Sequence, residues 1–262
     1  MRIAITAPVF LTKEEHRNYL NLTTDSIHSE KNEIVFIPVE NYLEPRLLPV
    51  MYHFTQEPKE IYILDGRDNQ SVAKAWNIGI QEGILKHCEY ILAINTDIIF
   101  KKNAIDRLVD FAEAHQEAVM WTMSEWAEQS SIQEANEDEG FNEHPHFSCF
   151  MVKHDFNKHV GMFDENFTPA YLEDNDMVAR LSKANKLCYT YGGARFFHFG
   201  SRTIKSDRSL WDKNTRTFPA NQQRFLDKWG YPVQNEAEEQ RKKYFDHPFN
   251  NPKYKLDYTG LR

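Results

Sequence analysis

The sequence predicts an α/β fold in which a mostly parallel central sheet is flanked by helices. Short apolar runs typical of strands alternate with longer segments rich in helix-forming residues, and this alternation is typical of βαβ units. The run that begins at Tyr90 is continuously apolar and then meets Asn95-Thr96-Asp97. Because ligands bind at the carboxyl ends of strands in such sheets, we expect a functional site there.

Four apolar runs predict the parallel strands, and each is followed by proline or by polar residues. The predicted strands are residues 2–7, ended by Pro8, then 33–37, ended by Pro38, then 61–65 and 90–94. The polar or proline positions at these strand ends are Pro8, Glu40, Asn41, Asp65, Arg67, Asn95 and Asp97. We expect these residues to lie along one edge of the sheet, where they are candidates for ligand binding.

Helices are predicted where helix-forming residues follow the strands. The predicted helices are 13–29, 69–86, 105–115 and 171–181, and two further strands are predicted at 118–123 and 146–152. The acidic stretch 125–143 contains few large apolar residues. Since such a composition buries little surface, a surface loop or a lid is predicted there.

Composition limits the possible functions. The 262 residues are 41% hydrophobic, which is enough for one large domain with a sizeable core. The net charge is −8 and the basic residues are dispersed, which disfavours a nucleic-acid partner and an anionic membrane surface. The first apolar run reaches Pro8 too early for a signal peptide and no later run is long enough to span a bilayer, so we expect a cytoplasmic protein. Cys88, Cys149 and Cys188 are predicted to be reduced core thiols.

Acidic residues are concentrated at the start of the helix predicted at 171–181. Glu173, Asp174 and Asp176 fall within four positions. Carboxylates there can cap free N–H groups and complement the helix dipole. Capping requires only one or two of them, so the surplus predicts a site in which one carboxylate accepts a proton.

Several motifs together carry a family resemblance. They are Asn69-x-Ser71-x-Ala73-Lys74-Ala75-Trp76-Asn77-x-Gly79-Ile80, Asn95-Thr96-Asp97, Gly161-x-Phe163-Asp164-Glu165, Glu173-Asp174-x-Asp176 with Arg180, and His198-Phe199-Gly200-Ser201. Because these motifs follow one another in this order, the chain resembles family-two glycosyltransferases of the A-type (GT-A) fold over residues 1–205. The resemblance implies a Rossmann-like GT-A core at 1–205 and a C-terminal helical extension at 206–262 packed on it.

The resemblance also implies an activity. The expected enzyme is a hexosyl- or deoxyhexosyltransferase that uses a nucleotide-diphosphate donor (UDP-, dTDP- or GDP-linked), Mn²⁺ or Mg²⁺, and inversion at the anomeric carbon. A carbohydrate or glycoconjugate acceptor, and a role in surface polysaccharide or glycoconjugate synthesis, would follow. The alternatives are a phage-type enzyme that glycosylates modified DNA bases, which the acidic balance disfavours, and a non-catalytic glycan-binding module. A sugar-phosphate nucleotidyltransferase would require a Gly-rich basic loop after the first strand, and residues 6–10 contain none.

Site roles follow from the same resemblance. Asp97 and His198 match the metal ligands, Asp174 or its neighbour Glu173 matches the catalytic base, and Asn95 would contact ribose or a metal-bound water. The residues expected to bind the nucleotide donor are Pro8, Glu40, Asn41, Asp65, Arg67, Asn69, Asn95, Ser201 and Arg202. Asn95 replaces an aspartate of the stricter family motif, so weak, exchangeable metal binding is predicted.

The C-terminal tail permits two interpretations. Phe225 and Trp229 are four residues apart and favour a helix packed against the sheet. Alternatively, Trp211 and Arg208 would belong to a lid on the acceptor side, because aromatic rings stack on sugars and a closing loop excludes water. His144-x-His146 is interpreted as part of a loop rather than as a metal site.

Overall fold

The computed structural model describes residues 1–67, 71–137, 140–142, 147–200 and 202–233. The strands are β1 Arg2–Leu11, β2 Glu33–Leu43, β3 Glu60–Ile61, β4 Leu64–Asp65, β5 Tyr90–Ile94, β6 Ile98–Phe100, β7 Ala118–Trp126, β8 Phe141–Asn142, β9 Cys149–Lys153 and β10 Leu187–His198. The α-helices are α1 Glu14–Asp25, α2 Val72–Leu85, α3 Ala104–Ala114, α4 Asn157–Val160, α5 Glu173–Lys183, α6 Arg202–Ser206 and α7 Arg208–Trp229. Short 3₁₀ helices are present at Pro45–Leu47 and Gln129–Glu134.

One mixed sheet forms the centre of the molecule, in the order β3-β2-β1-β5-β9-β7-β10-β6. Strands β2, β1 and β5 run parallel, as do β7 and β10. Strand β9 runs antiparallel between β5 and β7 and joins the two parallel groups. The predicted α/β class, with a central sheet between helices, is confirmed.

The core lies on both faces of this sheet. Along β5, Leu92 belongs to the cluster that contains Leu108 of α3, whereas Ile91 belongs to the cluster that contains Ile80 of α2. Alternate residues of a strand point to opposite faces, so β5 is buried on both sides, as its continuous apolar run predicts. In the described part of the chain, no helix is both long enough and apolar enough to cross a membrane.

Two strands continue past the prolines that were predicted to end them. Pro8 pairs with Val39 and Ala7 with Pro38, and β1 continues to Leu11 beside β2. The pairing of β1 with β5 stops at Thr6, so Pro8, which lacks an N–H donor, has only one neighbouring strand. The predicted end at Pro8 was wrong, and the longer strands carry residues past the edge of β5.

The strand predicted at 61–65 is divided into β3 and β4, which both pair with β2. The acidic stretch is also more regular than predicted, because β7 continues to Trp126 beside β10. One of its acids, Glu137, lies 3.0 Å from Lys101 and 3.1 Å from Arg107. Ion pairing to the body of the protein therefore holds part of this stretch in place.

Helix α7 packs on the core through its second half. Phe225 and Trp229 form a cluster with Phe167 and Leu172, so this pair is packed as predicted, but against α5 and the segment before it rather than against the sheet. Residues 206–233 are the part of the predicted extension that the structure describes, and they include all of α7. The domain boundary at residue 205 stays a prediction.

A buried ionic network secures the same contact. Lys228 Nζ lies 2.7 Å from both Asp176 Oδ1 and Asp164 Oδ2, and Trp229 Nε1 donates to Asp176 Oδ1 at 2.9 Å. The second carboxylate oxygen of Asp176 accepts from Arg180 Nε at 2.8 Å. Burial opposes the charge of Asp164, but the Lys228 ammonium outweighs it and lowers the pKa to about 2. The acid at position 176 is therefore explained by the fold.

Lys228→Met is expected to destabilise the protein by about 3–5 kcal/mol, because the variant leaves buried carboxylates without their cation. Urea unfolding at neutral pH measures the loss. The folded-state pKa of Asp164 is lowered, so its contribution is present above about pH 4 and is lost as the pH falls towards about 2. The stability difference should therefore shrink over that acidic range. Gln222→Met, at an exposed position of the same helix, is the control and should be neutral; equal stabilities of the two variants would contradict the prediction.

Candidate active site

The carboxyl ends of several strands border one cavity of about 490 Å³. The first wall of the cavity comes from strand ends, and Asn95 and Asp97 lie there just after β5. The second wall comes from helices and the loop before α5, and it includes Glu173 and Asp174. The edge predicted from the sequence therefore contains a concave site of the size that small ligands occupy.

Asp97 is held in a defined orientation on the first wall. Its Oδ2 accepts from the backbone N–H of Arg202 at 3.1 Å, and its Oδ1 lies 3.1 Å from His198 Nε2. The Asp97 carbonyl accepts from Phe199 N–H at 2.9 Å. The side chain is 5% exposed, so these contacts fix a buried carboxylate at the edge of the cavity.

His198 is held on its other side by Ser148, whose Oγ lies 3.2 Å from Nδ1. A serine hydroxyl can donate or accept, so two arrangements satisfy this chain of groups. With a proton on Nε2, His198 donates to Asp97 and Ser148 donates to Nδ1. With the proton on Nδ1, this N–H donates a hydrogen bond to Ser148 Oγ. The Nε2 lone pair then faces the Asp97 carboxylate, which is the arrangement that a shared cation requires.

The geometry of this pair fits a divalent metal ion. Two ligands on adjacent octahedral positions, each at about 2.1 Å, lie roughly 3.0 Å apart. The 3.1 Å between Asp97 Oδ1 and His198 Nε2 agrees with that spacing. Among the described residues, no three His, Cys, Asp or Glu side chains lie close enough together to hold a metal ion. An ion held here would therefore need further oxygen ligands from substrate or water.

The second wall carries the two candidate bases. Glu173 and Asp174 begin α5, directly after Tyr171 and Leu172, whose φ angles are 75° and 76°. Left-handed backbone is costly for side chains of this size, and such strain concentrates at functional sites. Two consecutive residues of this kind indicate that the surrounding packing holds the start of α5 in a specific position.

The two neighbouring acids differ in environment. Glu173 is 5% exposed, and this burial raises the pKa of its carboxyl well above the usual range, with a further rise from the nearby Asp174 carboxylate. Asp174 is half-buried in the cavity wall, and its Oδ1 accepts from the Asn175 N–H at 2.8 Å. A protonated carboxyl cannot accept a proton, so Asp174 is the better candidate for a base.

The structure places the other predicted nucleotide-binding residues in three groups. Those that line the cavity are Pro8, Asn41, Arg67 and Asn95. Three do not line it: Glu40 accepts from Tyr52 at 2.9 Å, exposed Asp65 pairs with Arg67, and Arg202 contributes its backbone N–H to Asp97. Asn69 and Ser201, like His144 and His146, lie outside the described residues.

Helix α7 contributes a part of the cavity wall that was not predicted from the sequence. Lys213 and Asn214 line the cavity, whereas Trp211 is 45% exposed and neither it nor Arg208 takes part in the wall. Positions 210, 213 and 214 share one face of a helix. Arg208 and Trp211, the residues selected for the proposed lid, therefore lie outside the part of α7 that borders the cavity.

Comparison with known proteins supports the fold. No known family model matches the sequence, and no curated protein matches it by sequence. The structure of GalNAc-T7 with UDP, GalNAc and Mn²⁺ matches with a TM-score of 0.54 and 10% identity, over 92% of this chain and 53% of that one. S. aureus TarS matches with a TM-score of 0.50 and 11% identity, over 93% and 42%.

Both of these proteins are GT-A-type glycosyltransferases. The chain therefore has the GT-A fold, and the fold that the sequence resemblance implies is confirmed. This chain spans only about half the length of either protein.

Proposed function

We propose that the protein is a metal-dependent glycosyltransferase that moves a sugar from a nucleotide-diphosphate donor to an acceptor hydroxyl with inversion. The observation that carries the proposal is the Asp97–His198 pair, set at the spacing of two metal ligands beside a cavity that Asp174 also lines. GalNAc-T7, which shares the fold, was crystallised with UDP and Mn²⁺, and this supports a nucleotide donor and a divalent ion.

In the proposed mechanism, Asp97 and His198 would hold Mn²⁺ or Mg²⁺, and the ion would supply charge neutralisation at the leaving diphosphate. The backbone N–H of Arg202 and the Ser148 hydroxyl fix the orientation of these two side chains. Pro8, Asn41 and Arg67 lie where the nucleoside end of a donor would contact β1 and β2.

Asp174 completes the proposed mechanism as general base. It takes the proton of the acceptor hydroxyl as that oxygen attacks the anomeric carbon. Attack from the side opposite the leaving diphosphate inverts the configuration at that carbon. We also propose that the transferred sugar is a hexose or a deoxyhexose. The enzyme would act in the synthesis of a surface polysaccharide or a glycoconjugate.

A thermal-shift panel tests the proposal. UDP, dTDP and GDP are each added with and without Mn²⁺, and one of them is expected to raise the melting temperature only when the metal is present. Ligand at 100-fold above its Kd stabilises the folded state by about 2.7 kcal/mol, or roughly 5–10 °C for a chain of this size. If no nucleotide diphosphate stabilises the protein with Mn²⁺, the proposed function is wrong.

A further inference from the structure

Three buried polar atoms that belong to cavity-lining residues lack hydrogen-bond partners among the described residues. They are Trp76 Nε1, Glu173 Oε2 and Asn214 Oδ1. Their residues are 3%, 5% and 5% exposed. Polar atoms buried this deeply are nearly always bonded to protein or to an ordered ligand, so three such atoms on residues of one cavity point to a bonding partner that binds there.

These atoms come from helices, whereas the candidate metal ligands come from strand ends. Trp76 belongs to α2, Glu173 to α5 and Asn214 to α7. The segment 168–172 joins the three helices: Val72 N–H of α2 donates to the Pro169 carbonyl at 3.0 Å, and α5 follows the segment directly.

Helix α7 binds the same segment through a different asparagine. Asn221 Nδ2 lies 3.2 Å from each of the carbonyl oxygens of Thr168, Ala170 and Tyr171. Asn221 thus fixes the segment, and Asn214, two turns earlier on the same helix face, takes no part in this contact. Asn221 therefore has a structural role that Asn214 does not share.

The chemistry of the three atoms suits a pair of hydroxyl groups. Trp76 Nε1 can only donate, and Asn214 Oδ1 can only accept. Burial raises the pKa of the Glu173 carboxyl, which favours the protonated form, and a protonated carboxyl can donate as well. Neighbouring hydroxyls of a sugar ring each donate and accept, and the half-buried Tyr171 ring in the same wall offers an apolar surface for the ring.

We infer that Trp76, Glu173 and Asn214 form a subsite that binds hydroxyl groups of the acceptor sugar beside Asp174. The inference rests on the proposed function and adds a substrate-recognition surface to it. Asp174 adjoins Glu173, so a sugar bound here presents a hydroxyl to the proposed base. A site that hydrogen-bonds substrate hydroxyls discriminates strongly against ligands that lack them, because its buried polar groups are then left unpaired.

Saturation-transfer difference NMR with methyl glycosides tests the inference. Methyl glucoside, galactoside, mannoside and N-acetylglucosaminide are titrated against the full chain with Mn²⁺ and the nucleotide diphosphate that binds best. At least one glycoside is expected to bind wild type, and Asn214→Leu should weaken it by about 10-fold or more. Gln222→Leu, at an exposed position of the same helix, should bind as wild type does. Asn214→Ala, which removes the same oxygen without overfilling the site, serves as a second variant.

Nucleotide affinity, measured on the same samples, separates this inference from the proposed function. Nucleotide diphosphate binding unchanged in Asn214→Leu, with glycoside binding lost, supports the subsite. Glycoside binding retained in both Asn214 variants, or absent in wild type that binds the nucleotide, overturns the subsite alone. A weaker affinity for the nucleotide-sugar, with unchanged glycoside and nucleotide binding, would assign the hydroxyl contacts to the donor sugar and overturn the acceptor assignment. Failure of wild type to bind any nucleotide diphosphate with Mn²⁺ overturns the proposed function and the inference with it.

Discussion

Asp97→Asn is expected to abolish Mn²⁺-dependent binding of the nucleotide diphosphate while the protein remains folded. Asparagine keeps the size of the side chain, and its amide oxygen can still accept from Arg202 N–H, which bonds Asp97 at 3.1 Å. The charge and one anionic ligand oxygen are lost, and hard divalent cations bind carboxylate oxygens most strongly. Isothermal titration calorimetry with and without Mn²⁺ measures the effect.

Two further variants define what this result means. Asp110→Asn removes an exposed carboxylate that pairs with Lys31 on the surface, and it should leave nucleotide binding unchanged. His198→Ala should weaken metal affinity by roughly 10-fold or more if the imidazole is a ligand or orients one. Mn²⁺-dependent binding that persists at wild-type strength in Asp97→Asn would remove the proposed metal site. A lower melting temperature in His198→Ala with unchanged metal affinity would assign that histidine a structural role.

The sequence was informative where local pattern and position coincide. The apolar run before Asn95 predicted a strand buried on both faces, and β5 is such a strand. Because the polar residues follow that strand directly, their place at the ligand edge could be predicted before any tertiary contact was known. Asn95 with Asp97, Asp174 and His198 come from three separate parts of the chain, and all four line one cavity. Their catalytic roles stay predictions.

Strand pairing was less accessible to prediction. The apolar run that becomes β9 indicates a buried strand, but its pattern contains no information about its neighbours or its direction. In the folded protein β9 runs antiparallel between β5 and β7. Pro8 misled the prediction for a similar reason, since its effect on a strand depends on whether a second strand pairs at that point.

The contribution of α7 was missed because its buried face is partly polar. Asn214, Asn221 and Lys228 are seven residues apart, which places them on one side of a helix, and all three are buried. The apolar pattern that predicted the packing of this helix was the Phe225–Trp229 pair, and Phe218 packs beside the same cluster. The available signal was a set of polar residues that repeat with the period of a buried helix face. Here Asn221 binds a loop, Asn214 lines the cavity and Lys228 binds two carboxylates.

Helical spacing also separates the three acids at the start of α5. Glu173 and Asp176 are three residues apart and share a face, whereas Asp174 points about 100° away. Glu173 and Asp176 are accordingly buried, and Asp176 is committed to Lys228 and Arg180, while Asp174 is half-buried in the cavity wall. The surplus carboxylate that predicted a catalytic base is therefore best identified with Asp174.

Asp174→Asn is expected to reduce turnover by about 10²- to 10⁴-fold, the usual contribution of a general base, with little change in donor affinity. The amide keeps the size of the side chain and an oxygen that can accept from Asn175 N–H, but it cannot take a proton. Glu173→Gln is the matched variant, because it makes the same chemical change at the adjacent position. Since burial raises the pKa of Glu173 and so favours its protonated form, this variant should retain far more activity, with its main effect on the acceptor KM.

The two variants, assayed for transfer and for nucleotide binding, determine which neighbour is the base. If Glu173→Gln loses turnover and Asp174→Asn keeps it, the base is Glu173, and the effect of burial on its proton has been misjudged. If neither variant loses turnover, no carboxylate at the start of α5 accepts the proton, and inversion loses its structural support. The anomeric configuration of the product, measured from proton NMR coupling constants, then decides the mechanism, because displacement by a hydroxyl that Asp174 deprotonates yields only the inverted anomer.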